Sequence, residues 1–176
     1  MSQHQQSSVT WVLVADGKQA RVYECCKATQ KVPLEGANKH HYYDEKSGHE
    51  LVLVPNGSLE AGTAHDYQLG HDRRGTASNS NSPTRNTYEP RGDIKEELKR
   101  QFTRTLVGML GKACEEKLFF RIVLVAPAKM IGELREQLPA DVQKRIAAVL
   151  PKDLTHYQGH ELLHHIQDTL AEAHVA

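Results

Sequence analysis

Two uninterrupted apolar runs constrain this chain more than any other feature: Val9-Thr-Trp-Val-Leu-Val-Ala15 near the start and Arg121-Ile-Val-Leu-Val-Ala126 much later. Both are rich in β-branched residues, and neither alternates with polar ones. A strand without a polar face must be covered on both sides, so these two belong in a sheet flanked by helices. That places the chain in the α/β class.

The first run is followed by Asp16-Gly17, a strong hairpin signal, because both central positions of a type I′ turn need positive φ. Lys18 to Glu24 then alternates, with Ala20 and Val22 on one side and Arg21 and Tyr23 on the other. A third strand is expected between Lys31 and Tyr43, broken by Pro33 and Gly36, and Leu51-Val-Leu-Val54 reads as a short fourth. Residues 57–92 hold little that fills a core, and Thr76 to Thr87 is a polar low-complexity stretch. This segment is expected to be a long mobile loop, of the kind that is usually functional or disordered.

A helix follows, capped by Asp93, with Ile94, Leu98, Phe102, Leu106, Met109 and Ala113 forming an apolar stripe. Its outward face carries Lys95, Lys99, Arg100 and Arg104. After the second apolar run, Pro127 suits the first position of a helix that Pro139 ends. Asp141 to Ile146 reads as a short helix, Ala147 to Leu150 as a strand, and Gly159 to Glu172 as a closing helix. Hairpin strands first, then strands alternating with helices, predict a single-domain mixed sheet with flanking helices.

With 176 residues, the chain suits one domain over 9–176 behind a disordered polar N-terminus, 1–8. The opening octapeptide has no Lys or Arg and the first apolar run is too short for a signal core, so a cytoplasmic protein is expected. Cys25, Cys26 and Cys114 make no disulfide framework and are expected as reduced thiols. Net charge is zero, but residues 73–121 hold eleven Lys and Arg against six Asp and Glu. The asymmetry points to a phosphate-facing surface on the loop and helix, although a solvated face laced with charge pairs explains the same counts.

Several motifs in order resemble one bacterial family, described as "protein required for attachment to host cells". They are Trp11 to Val22, Tyr88-Glu-Pro-Arg-Gly-Asp93, Leu124-Val-Ala-Pro-Ala128, Gly132-Glu-Leu-Arg135 and Lys152-Asp-Leu-Thr155. That family is in turn similar to the middle domain of archaeal and eukaryotic peptide-chain release factors and of Pelota. The resemblance implies an RNase H-like, release-factor-middle-domain-like fold and a role near the translation machinery. Release factors carry Gly-Gly-Gln in the loop before the long helix, and residues 57–92 contain no such tripeptide. Peptidyl-tRNA hydrolysis by that route is therefore not expected.

If the chain were a hydrolase acting on peptidyl-tRNA or another ester, His65, Asp66, Gln68, His71 and Asp72 would be its actors, since His-Asp pairs support general acid–base work. Arg73 and Arg74 suit phosphates instead. Asp16 stands where an RNase H-like nuclease begins its carboxylate set, but no second core-strand carboxylate accompanies it, so the nuclease reading is set aside. His156, His160 and His164 are spaced by four and could align on a helix, yet no Cys or carboxylate completes a metal set. No metal or cofactor is expected. Arg91-Gly92-Asp93 spells an integrin-binding tripeptide, but Asp93 is accounted for as a helix cap.

The expectation is a non-catalytic module that binds the ribosome or a structured RNA through Arg73, Arg74, Arg91, Lys95, Lys99, Arg100 and Arg104. Host attachment would then be an indirect phenotype. A protein-interaction factor recruiting its partner by a sheet edge or helix is the third reading.

Overall fold

The structure, a computed structural model, describes residues 9–27, 41–45, 48–61 and 91–175. The strands are β1 (Thr10–Ala15), β2 (Gln19–Lys27), β3 (His41–Tyr43), β4 (His49–Glu60), β5 (Arg121–Val125) and β6 (Ile146–Leu150). The helices are α1 (Arg91–Glu115), α2 (Ala128–Gln137), α3 (Ala140–Gln143) and α4 (Gly159–Val175). The expected N-terminal tail, the first part of the expected third strand and residues 62–90 lie outside the described residues.

The strands form one mixed sheet in the order β3-β4-β2-β1-β5-β6. The pairs β1–β2, β2–β4 and β3–β4 are antiparallel, whereas β1–β5 and β5–β6 are parallel. This is the mixed α/β sheet with flanking helices that was expected, a hairpin half joined to a parallel half through the central β1.

Because β1 has no polar face, it feeds two cores. Trp11, Leu13 and Ala15 point into a layer with Phe102, Leu106 and Leu110 of α1 and Ile131 and Leu134 of α2. Val12 and Val14 point the other way, against Leu162, Leu163, Ile166 and Leu170 of α4. Strand β5 divides likewise, with Ile122 and Leu124 on the first side and Val123 and Val125 on the second. Each fully buried aliphatic side chain contributes roughly 1.5–3 kcal/mol, so the three-layer stacking of helices, sheet and helix is what holds the domain together. Cys25 and Cys114 are both buried.

Several local expectations are corrected. Asp16-Gly17 is not a type I′ turn, because neither residue has positive φ. β1 and β2 pair at Ala15 and Ala20 across a longer connection, closed by the Asp16 carboxylate accepting from the amides of Lys18 at 2.6 Å and Gln19 at 2.8 Å. Asp is favoured in turns for this side-chain capacity as well as for its tolerance of positive φ.

The fourth strand does not stop before Pro55 but runs to Glu60. It survives because Asn56 adopts φ 58 and Gly57 packs against its neighbours, bulging the strand opposite Val22. A Cβ on Gly57 would lie 2.8 Å from the Val54 carbonyl oxygen and 2.9 Å from that of Val22, so only glycine fits.

The long helix begins at Arg91, which puts Asp93 inside its first turn rather than at the cap. The apolar stripe also ends sooner than its periodicity suggests. Phe102 and Leu106 are buried, but Ile94 is 61% and Leu98 45% exposed.

Candidate functional site

The parallel strands β1, β5 and β6 all finish at one edge of the sheet, and there β4 also ends and β2 begins. The amide of Ala61, just past β4, donates to the Lys18 carbonyl at this edge. Helix α1 approaches it too, since the Lys99 side chain lies over Gly17, where a Cβ would sit 3.2 Å from Lys99 Cγ. In open α/β sheets, ligands characteristically sit outside the carboxyl ends of the strands. This edge therefore contains the chemistry to be judged.

Its polar centre is Asp16. Besides the two turn amides, its Oδ2 faces the Thr155 hydroxyl at 3.0 Å, and that hydroxyl also meets Asp153 Oδ1 at 2.6 Å. Arg21 donates to the Thr155 carbonyl. A hydroxyl has one proton, so it serves one of the two carboxylates at a time. Burial pushes the Asp16 pKa up, but the Lys18, Gln19 and Thr155 hydrogen bonds outweigh it and hold the carboxyl below its ordinary value. An acid so poised is ionised near neutral pH, which suits a clasp between the β1–β2 turn and the β6–α4 loop rather than proton transfer. Asp153 does supply a second carboxylate, from a loop rather than a core strand. Among the described residues, however, no group of three His, Cys, Asp or Glu could hold a metal ion.

Beside this clasp is a crevice of about 150 Å³ lined by Gly17, Lys99, Thr103, Pro127, Lys129 and Glu133. Lys99 belongs to the basic face anticipated from the sequence, whereas Lys129, on α2, was not anticipated. The two ammonium groups share one carboxylate. Lys99 Nζ is 3.1 Å from Glu96 Oε1, and Lys129 Nζ is 3.4 Å from Glu96 Oε2. The Lys99 hydrogen bond and then the Lys129 charge hold the Glu96 pKa below its ordinary value.

The next strip of α1 repeats the pattern. Arg100 Nη1 and Arg104 Nη1 both approach Glu97, at 3.6 and 3.7 Å. Lys95 is exposed, and among the described residues no ion pair engages it. Ile94 and Leu98 precede Lys99, the residue that reaches Gly17 at the sheet edge, and both are exposed. The N-terminal half of α1 thus carries four cations, with exposed Ile94 and Leu98 beside them.

The remaining anticipated residues fall elsewhere. Arg91 is the first residue of α1. His65, Asp66, Gln68, His71, Asp72, Arg73 and Arg74 lie outside the described residues. His156, His160 and His164 are all exposed, and they are not brought together as a metal set. The His160 ring meets Tyr42 edge-on at 6.3 Å, a packing contact between α4 and β3. No described helix is long and apolar enough to cross a membrane.

Comparison with known proteins bears on this arrangement. No curated protein matches the sequence. Among solved structures, the chain is similar to an archaeal translation termination factor, aRF1, at 13% identity and a TM-score of 0.49. That match covers 97% of this chain but only 37% of the factor, so the chain spans well under half of its length. The family described as "protein required for attachment to host cells" matches residues 11–166, from β1 into α4. Since that span takes in most of the chain, including the clasp and the basic helix, the protein belongs to this host-attachment family.

Proposed function

We propose that this protein is a non-catalytic binding module whose partner is the ribosome or a structured RNA. The observation that carries the reading is the N-terminal half of α1, where Lys95, Lys99, Arg100 and Arg104 form an exposed or half-exposed basic face. A basic face of this kind gains affinity by releasing counterions from phosphates. The glutamate pairs along it are surface pairs worth about 0–1 kcal/mol each, weak enough to reopen when phosphates arrive. Arg73 and Arg74 would extend the contact. A role in translation stress or ribosome rescue, in the cytoplasm and without hydrolysis, accords with the basic helix. Host attachment would be a downstream phenotype.

A second reading has its own support. Ile94 and Leu98 are exposed on the same helix end, and apolar residues between charges suit a protein partner.

Sedimentation with purified ribosomes tests the first reading. The protein should travel with ribosomes at low salt, and both high salt and the variant R100E/R104E should release it. Protein remaining at the top of the gradient under every condition would overturn the ribosome assignment and favour a protein partner.

A further inference from the structure

The two glutamates on the basic helix repeat one geometry, and the repetition is informative. Glu96 sits between Lys99 and Lys129, at 3.1 and 3.4 Å, and Glu97 sits between Arg100 and Arg104, at 3.6 and 3.7 Å. Each carboxylate thus occupies the position between two cations that a phosphate oxygen would take. Only the Glu96 seat draws its cations from two elements, α1 and α2, and it opens on the crevice beside Gly17 and Thr103. Lys129 also lies 4.0 Å from Glu133, so this seat is the more heavily neutralised.

Resting on the phosphate-binding reading above, we infer that Glu96 and Glu97 are internal competitors for two backbone-phosphate seats, one formed by Lys99 and Lys129 and the other by Arg100 and Arg104. The glutamates hold both seats in the free protein. They set a modest threshold against a lone phosphate, because it must displace a tethered carboxylate present at high effective concentration. A nucleic-acid backbone passes it by engaging both seats at once. The device gives selectivity for polyanions over single anions without any base contact. The depressed pKa of Glu96 accords with this, since the lysines already favour its anionic form.

The alternative is that the pairs only solvate a helix face, and net charge then accounts for any effect of removing them. A charge-matched control separates the two. The double variant Glu96→Gln/Glu97→Gln removes both competitors. Glu115→Gln/Glu136→Gln removes the same charge from exposed positions elsewhere on α1 and α2. Binding of a fluorescently labelled RNA hairpin is measured by anisotropy across a salt series, with circular dichroism confirming that each variant folds.

The expected result is that Glu96→Gln/Glu97→Gln tightens binding roughly three- to tenfold at low salt, with a smaller gain at high salt, and that the control stays near wild type. Binding by the Gln variant where wild type shows none would support the inference equally. Wild-type binding that Glu96→Gln/Glu97→Gln leaves unchanged, or that the control tightens as much, overturns the competitor role and spares the binding module. No binding by any of the three proteins overturns both.

Discussion

Gly159 offers the most quantitative test of how the outer strands are held to the helical layer. It opens α4 with φ +61, and a Cβ built there would lie 2.8 Å from Tyr42 Cε1 and 2.9 Å from Tyr42 Cδ1. Gly159→Ala therefore carries two separable costs. Left-handed backbone costs a non-glycine residue about 1–2 kcal/mol. Overpacking against the ring adds about 1–3 kcal/mol, because Tyr42 can only move by giving up its seat between β3 and α4. A loss of roughly 2–5 kcal/mol corresponds to a melting temperature lower by about 4–20 °C in a domain of this size. Urea denaturation of wild type, Gly159→Ala, Tyr42→Ala and the double variant forms a cycle that divides the two terms. In the Tyr42→Ala background, the glycine substitution should cost only the backbone term of about 1–2 kcal/mol. An equal cost in both backgrounds would refute the steric argument, and a loss under about 0.5 kcal/mol would refute the backbone argument as well.

Three further outcomes follow from the same geometry. Leu106→Ala should cost about 2–5 kcal/mol in chemical denaturation, whereas Ile94→Ala and Leu98→Ala on the same stripe should each stay within about 0.5 kcal/mol, because they lie beyond the core. Lys117 terminates α1 at φ 58, with the Leu118 amide donating to the Ala113 carbonyl, so Lys117→Gly should raise stability by about 0.5–1 kcal/mol. Asp16, with its pKa held below the ordinary value, contributes stability that is fully present above the unfolded-state value and is lost as pH falls through the folded one. The stability gap between wild type and Asp16→Asn should accordingly be full above about pH 5 and close on acidification, which acid titration of the melting temperature reads directly.

The layer order was legible because it depends on local pattern: two apolar runs without a polar face, a stripe on the long helix, and prolines at helix starts. What escaped was set by backbone detail or by distance. Pro55-Asn56-Gly57 has the composition of a loop, and nothing local says that Asn56 in the left-handed region lets β4 continue. Ile94 and Leu98 continue the periodicity of a buried face, but periodicity does not say where the sheet beneath it ends. The bond from Thr155 to Asp16 joins residues 139 positions apart. Only the rule that parallel strands end at one edge could have suggested that Asp153 and Thr155, just after β6, would meet the turn after β1. Lys129 was overlooked for a similar reason, since its pairing with Glu96 depends on how α1 and α2 pack together. Lys95, Lys99, Arg100 and Arg104 lie at exposed or half-exposed positions, and their pairing with Glu96 and Glu97 was the alternative already visible in the charge counts.

The measurement that tests the central claim most directly is the salt dependence of RNA binding. The logarithm of the association constant for a labelled RNA hairpin is followed against the logarithm of salt concentration, for wild type and for K95E/R100E/R104E. Four phosphate contacts predict a wild-type slope of about −3, falling to about −1 or shallower in the variant as three contacts are lost. Equal slopes in the two proteins, or binding that salt does not weaken, would contradict the claim that the basic face of α1 is the phosphate-binding surface.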